Sequence, residues 1–355
     1  MIQTMRKRVR FGCLAAVWAA ALATGCSVPQ VRDAQGRPVE GAVRELQPLE
    51  IAGVQQWISI RGWSDRNPIL LVLHGGPGFS EMALVRHFNR ALEEHFLVVN
   101  WDQPGAGKSN SAEVEDDSLT VERYVRDAVE VIDYLRERFH QDKVYLLGHS
   151  WGSYLGLQVA HRFPERLHAY LGTGQVANSP EGELIGYRYA LEQARRMGNE
   201  KAIKELESIG EPVGGLYAGG DFEKTIVERK WLHEFGGDYH QKILGKAYRV
   251  ILLAPEYTVR EKLKFFGEPR HSPETERAQF TVDFNGQIPA VQVPVYFLLG
   301  RHDYMAPSNV AEQYWNRLEA PVKRLYWFEE SGHAPMFEEP DKFNRVVIEE
   351  ILRGA

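Results

Sequence analysis

Gly148, His149, Ser150, Trp151 and Gly152 stand between a run that reads as a buried strand, Val144 to Leu147, and a run that reads as a helix. A serine in this G-x-S-x-G setting occupies a tight strand-to-helix turn that pushes its hydroxyl out above a sheet. The turn cramps the backbone, and side chains on either side of the serine would collide, so glycines belong at both flanks. The pentapeptide alone is a short pattern. Its weight comes from the strand before it, the helix after it and the partners found elsewhere.

The chain around it alternates. Ile69 to Leu73 and Phe96 to Trp101 are continuous β-rich apolar runs, as strands buried on both faces are. Each stops in a glycine-rich loop, His74 to Gly78 and Asp102 to Ser109. Helical spacing covers Glu81 to Glu94 and Thr120 to Phe139, and a further strand is expected near Ala169 to Gly172. That order predicts an α/β fold, a mostly parallel sheet flanked by helices on both faces. Trp57 to Arg61 alternates as an early edge strand does. Beyond Gly174 the alternation breaks. Residues 175–287 are charged and helical with glycine and proline breaks, and read as a helical cap over the active face; Val250 to Ala254 fits strand or helix equally. Alternation resumes with a strand from Val293 to Leu299, a helix from Ser308, a strand from Arg324 to Phe328 and a helix from Pro340. The expected catalytic domain is thus 51–174 with 288–355.

Residues 1–25 differ in kind. Arg6, Lys7, Arg8 and Arg10 precede an apolar run from Phe11 to Thr24 that is short for a bilayer span, the pattern of a cleaved export signal. The run ends in Leu22, Ala23, Thr24, Gly25 and Cys26, which resembles the lipobox of bacterial lipoproteins, with Ala23 where leucine is usual. Cys13 and Cys26 are the only cysteines, so removing the signal leaves Cys26 without a disulfide partner. The expectation is an exported chain on the periplasmic side, lipid-anchored through Cys26; ordinary cleavage nearby and a retained anchor helix are the alternatives. Residues 26–50, broken by Pro29, Gly36, Pro38 and Pro48, read as a tether. A formal charge of -6 gives no basic surface for nucleic acid.

Two loop residues complete a chemistry. Asp303 and His333 each lie just beyond a predicted strand, so Ser150, Asp303 and His333 come in the order nucleophile, acid, base. A serine hydroxyl needs a base to take its proton, histidine suits that task, and the aspartate orients the imidazole and stabilises its charged form. The oxyanion donors fall to the amides of Trp151 and Gly76, with Gly75 close behind. Asp283 is a weaker rival for the acid. His74 is expected to brace its loop. Asp102 to Ser109 lacks the first glycine of a P-loop, and no HExxH or cysteine cluster calls for a metal, so no cofactor is expected.

HGGPG, DQPGAGKS, GHSWG, GRHD and SGHAP together resemble the prolyl aminopeptidase (proline iminopeptidase) family of the α/β-hydrolase fold, over roughly residues 50–175 and 288–355. The family usually has arginine where this chain has Pro104, and commonly at Lys108. The resemblance implies an acyl-enzyme hydrolase releasing N-terminal proline or another small residue from peptides. It also implies cap glutamates that bind the substrate's amino group, for which Glu234 is the first candidate, with Glu228 and Glu192 behind it. An esterase or amidase on small acyl substrates is the alternative, and a non-catalytic binding protein is the alternative of another class. Aspartate at the nucleophile position would mark haloalkane dehalogenases and epoxide hydrolases; Ser150 argues against both.

Overall fold

The computed structural model describes residues 27–354 apart from 266, 268 and 269. An eight-stranded sheet runs in the order β1-β2-β4-β3-β5-β6-β7-β8. Its strands are β1 (Val43–Ile51), β2 (Val54–Gly62), β3 (Ile69–Leu73), β4 (Leu97–Asp102), β5 (Val144–His149), β6 (Leu167–Thr173), β7 (Val295–Gly300) and β8 (Lys323–Phe328). β1 and β2 pair antiparallel, as do β2 and β4, and the remaining neighbours are parallel. This is the expected α/β fold.

Period-2 alternation sends successive residues to opposite faces. Leu71 and Leu73 join one core cluster and Leu70 and Val72 the other, so β3 is apolar throughout because it is covered on both sides. The first face is covered by α2 (Val121–Phe139), α3 (Trp151–Arg162) and α11 (Ser308–Arg317); the second by α1 (Met82–Phe88), α12 (Pro335–Glu338) and the C-terminal helical run from α13 (Pro340–Arg345). The helix expected from Glu81 to Glu94 breaks at Asn89 and continues as a 3₁₀ turn.

The polar stretch read as a tether is docked. Val31 is buried, and residues 43–51 form β1, a full antiparallel partner of β2. The misreading has a physical cause. An outermost strand wets one face and one edge, so its side chains alternate weakly and resemble a loop in composition. For the same reason Trp57 to Arg61 is not an edge but lies in β2, between β1 and β4.

Between β6 and β7 the chain forms α4 (Ser179–Arg196), α5 (Glu200–Ile209), α6 (Phe222–Glu234), α7 (Leu244–Leu253), α8 (Val259–Lys264), α9 (Pro273–Thr281) and α10 (Phe284–Gln287). Val250 to Leu253 is therefore helix. Tyr187, Leu206, Tyr217 and Trp231 form a small core shared by α4, α5 and α6. α7 behaves differently: its Ala247 and Ile251 join the second face of the main core, near Leu84 and Val85 of α1.

Candidate active site

The ends of β3, β5, β7 and β8 deliver one residue cluster to the carboxyl edge of the sheet, where open parallel sheets form their sites. Ser150 follows β5 directly and takes φ 53°, a left-handed conformation rare for a residue with a side chain. Its neighbours explain how the turn fits. A Cβ on Gly148 would lie 2.3 Å from the Gly152 carbonyl oxygen, and one on Gly152 would lie 1.9 Å from that of Leu73. The Ser150 turn thus presses on β3, and no side chain fits between them.

His333 and Asp303 meet as the order of motifs implied. His333 Nδ1 donates to Asp303 Oδ2 at 2.9 Å, while Asp303 Oδ1 accepts the amides of Met305 and Ala306, each at 2.9 Å. Both side chains are buried. The proton on Nδ1 leaves Nε2 as the basic nitrogen, and Nε2 is buried with no hydrogen-bond partner. His333 lines a cavity of about 550 Å³ together with Ser150, Trp151 and Gly76. Trp151 is the first residue of α3, so its amide has no carbonyl one turn back and is available to a ligand. Asp283, the rival acid, only caps α10.

A second imidazole supports the first. His149 Nδ1 faces Glu81 Oε1 at 2.6 Å and its Nε2 faces the His333 carbonyl oxygen at 3.1 Å. Both partners are acceptors, so satisfying both requires a proton on each nitrogen, the imidazolium. Burial opposes that charge, but the adjacent Glu81 carboxylate outweighs it and the His149 pKa is raised. His74 braces as expected: its Nε2 accepts the Gln103 amide at 3.1 Å, and Gln103 in turn accepts from the Trp151 indole at 3.0 Å.

The cap reaches down to the loop that carries His333. Glu338 accepts the amides of Gly332 and Ala334 with one oxygen and those of His240 and Gln241 with the other, and the His333 amide donates to the Asp238 carbonyl.

The cap candidates divide. Glu234 and Glu192 are exposed and neither lines the cavity, which removes both from the site. Each lies on the water-facing side of its helix, where most glutamates reside. Glu228 is fully buried but stands behind the cavity wall, ion-paired to Arg229, which also pairs with Glu183. Glu183 and Arg229 do line the cavity. Sequence reading missed Glu183 and Arg229: their partnership joins α4 to α6, 46 residues apart, and no local spacing announces it. Two carboxyl groups share one guanidinium, so only one of them is balanced by it, and Glu228 is pushed up to about 7. Burial raises the pKa of both carboxyl groups, against the pull of Arg229. One oxygen of each, Glu183 Oε2 and Glu228 Oε1, is buried without a hydrogen-bond partner.

The sheet order and the site at its carboxyl edge define a hydrolase of the α/β class. The sequence matches the α/β-hydrolase fold family over residues 68–340, and the chain belongs to that family. It is 33% identical over 310 residues to the probable aminopeptidase YbaC of Bacillus subtilis (strain 168), covering 86% of this chain and 96% of that one. Against a proline iminopeptidase of Heyndrickxia coagulans it is 25% identical over 285 residues, covering 78% and 88%. The crystal structure of the proline iminopeptidase of Mycobacterium smegmatis superposes with a TM-score of 0.61 at 18% identity, covering 87% of this chain and 98% of the other, a likeness of fold.

Proposed function

We propose that the protein is a serine hydrolase acting through an acyl-enzyme, and specifically an aminopeptidase that releases N-terminal proline or another small residue from peptides. The observation that carries this reading is the pairing of two buried carboxyl groups, Glu183 and Glu228, on the single guanidinium of Arg229, with Glu183 at the wall of the cavity that holds Ser150 and the unpartnered Nε2 of His333. A carboxylate oxygen buried without a donor costs about 1–3 kcal/mol, and a substrate ammonium donating to Glu183 Oε2 would relieve that cost. In the proposed reaction Ser150 Oγ attacks the scissile carbonyl as His333 takes its proton. Asp303 holds the imidazole, and the Gly76 and Trp151 amides receive the oxyanion. His333 then returns the proton to the leaving amine, and water repeats the cycle to free the acid.

The test is a panel of Pro-, Ala- and other aminoacyl fluorogenic amides beside short acyl esters, run on wild type and Ser150→Ala. Turnover of the amides that depends on Ser150 is expected. Ester turnover without any amide turnover would establish the esterase reading instead, and no reaction of the wild type with a fluorophosphonate probe would discard the serine mechanism.

The export signal and lipid-bearing Cys26, which lie outside the described residues, form part of the same proposal. Metabolic labelling with a fatty acid, lost in Cys26→Ala, is the expected result; an unlabelled wild type refutes it.

A further inference from the structure

We propose that the outer faces of α7 and α8 form a docking surface for an anionic lipid bilayer, against which the chain is held at its N-terminal end. The two short helices carry Leu252, Leu253, Val259 and Leu263, which are 52%, 69%, 38% and 68% exposed. Their inner neighbours Ile251, Ala254 and Tyr257 are buried, and Ala254 and Tyr257 pack with Met82 and Ala83 of α1. The exposed leucines therefore point away from the domain. Large apolar side chains gathered on one surface are a signature of contact with a partner or a membrane.

The charge on this stretch selects the partner. Lys242, Arg249 and Arg260 are exposed, in a chain whose overall charge is -6, while the exposed Lys246 sets its Nζ over the Phe88 ring of α1 at 4.6 Å. The acidic residues between positions 242 and 264 are Glu256 and Glu261, and each is paired inward, with Arg86 and Lys108 respectively. Exposed large apolar residues and exposed cations on one stretch of chain suit the headgroup region of an anionic bilayer, with leucines in the acyl boundary and cations at the phosphates. Among the described residues no helix is long and apolar enough to cross a membrane, so the contact is one that lies on the surface.

The path of the chain supplies the geometry. The Ser27 amide donates to the Pro255 carbonyl oxygen at 3.1 Å, between α7 and α8. The next carbonyls are held as well, Val28 by Arg44 at 3.2 Å and Pro29 by Arg61 at 2.6 Å. The described chain thus begins at the joint of these two helices, with Ser27, the residue after Cys26, held there. A membrane attachment at Cys26 would bring Leu252, Leu253 and Leu263 against the lipid. Glu261, Lys264 and Phe265 at the end of the same segment line the cavity, so docking sets the cavity rim beside the bilayer.

The test uses the full chain incorporated into phosphatidylethanolamine and phosphatidylglycerol vesicles that carry a phospholipid with a photoactivatable acyl chain. Adducts are mapped by mass spectrometry. Peptides holding Leu252, Leu253 and Leu263 are expected to be labelled roughly tenfold more than those around Val322, which is exposed at the opposite edge of the sheet. The double change Leu253→Glu and Leu263→Glu removes that labelling and leaves turnover of a water-soluble substrate unchanged. Adducts confined to residues 1–26, or spread evenly over both regions, overturn the proposal. So do protein-to-protein crosslinks joining the Lys242 and Lys246 side chains of two copies, formed in a parallel sample with a bifunctional amine-reactive reagent, which would assign the face to self-association. A chain that fails to float with the vesicles refutes both the face and the anchor. Labelling of α7 and α8 in a chain without fatty acid on Cys26 refutes lipidation alone.

Discussion

Replacing Glu183 by glutamine separates recognition of an amino group from the hydrolytic chemistry. In the native cluster Arg229 serves two buried carboxylates, and Glu183 Oε2 has no donor. Glutamine keeps the shape, leaves Arg229 paired with Glu228 and removes the carboxylate that lines the cavity. A substrate ammonium then loses a charge-assisted hydrogen bond to a buried acceptor, about 1.5–3 kcal/mol. At 1.36 kcal/mol per tenfold, kcat/KM for Pro- and Ala-amides falls roughly 10- to 150-fold. A short acyl ester, which has no ammonium, keeps its kcat/KM within about a factor of two to three, as does the reaction with a fluorophosphonate. The assay is steady-state kinetics on the amide, its N-acetylated counterpart and the ester, for wild type and Glu183→Gln. Equal losses on amide and ester would mean that the change damages the catalytic edge rather than an ammonium site. No loss on either would remove Glu183 from substrate recognition.

Three further outcomes are expected. Burial pushes the Asp102 carboxyl up to about 6, against hydrogen bonds from Ser80, the Lys108 amide and Tyr257. The folded state therefore holds this proton more tightly than the unfolded chain. Its contribution to stability, about 3 kcal/mol, is present below the unfolded value near 3.8 and lost as pH rises through about 6. Urea unfolding at a series of pH values should show Asp102→Asn gaining on wild type across that window and levelling above it, and a pH-independent difference contradicts the assignment. Glu81→Gln weakens the imidazolium of His149 that steadies the His333 carbonyl, so kcat should drop about tenfold with KM nearly constant; a rise in KM alone would count against a positioning role. Gly152→Ala drives a Cβ into the Leu73 carbonyl and should cost about 3 kcal/mol or more, whereas Gly245→Ala on α7, with nothing within 4 Å, should be neutral or stabilising by about 0.5 kcal/mol; thermal unfolding compares the two.

Much of this was legible in the chain itself because it rests on local rules. Apolar runs such as Ile69–Leu73 are strands because both faces are covered, and a glycine-bounded serine between strand and helix marks one kind of turn. Asp303 and His333 stood out for a similar reason: each follows a strand end, and parallel strands place all such ends on one edge. The pairing of β1 was not legible, since an outermost strand carries the composition of a loop. Nor was the choice among cap glutamates. Glu234, Glu192 and Glu228 read alike along the sequence, and only the packing of α4 against α6 turns two outward, buries the third and brings Glu183 to the cavity beside Arg229. Spacing along a strand or helix specifies local geometry, and that geometry determined the fold and the turn that carries Ser150. Burial and the sharing of one guanidinium between two helices arise only when distant segments meet, and the tertiary structure alone decided what faces the cavity.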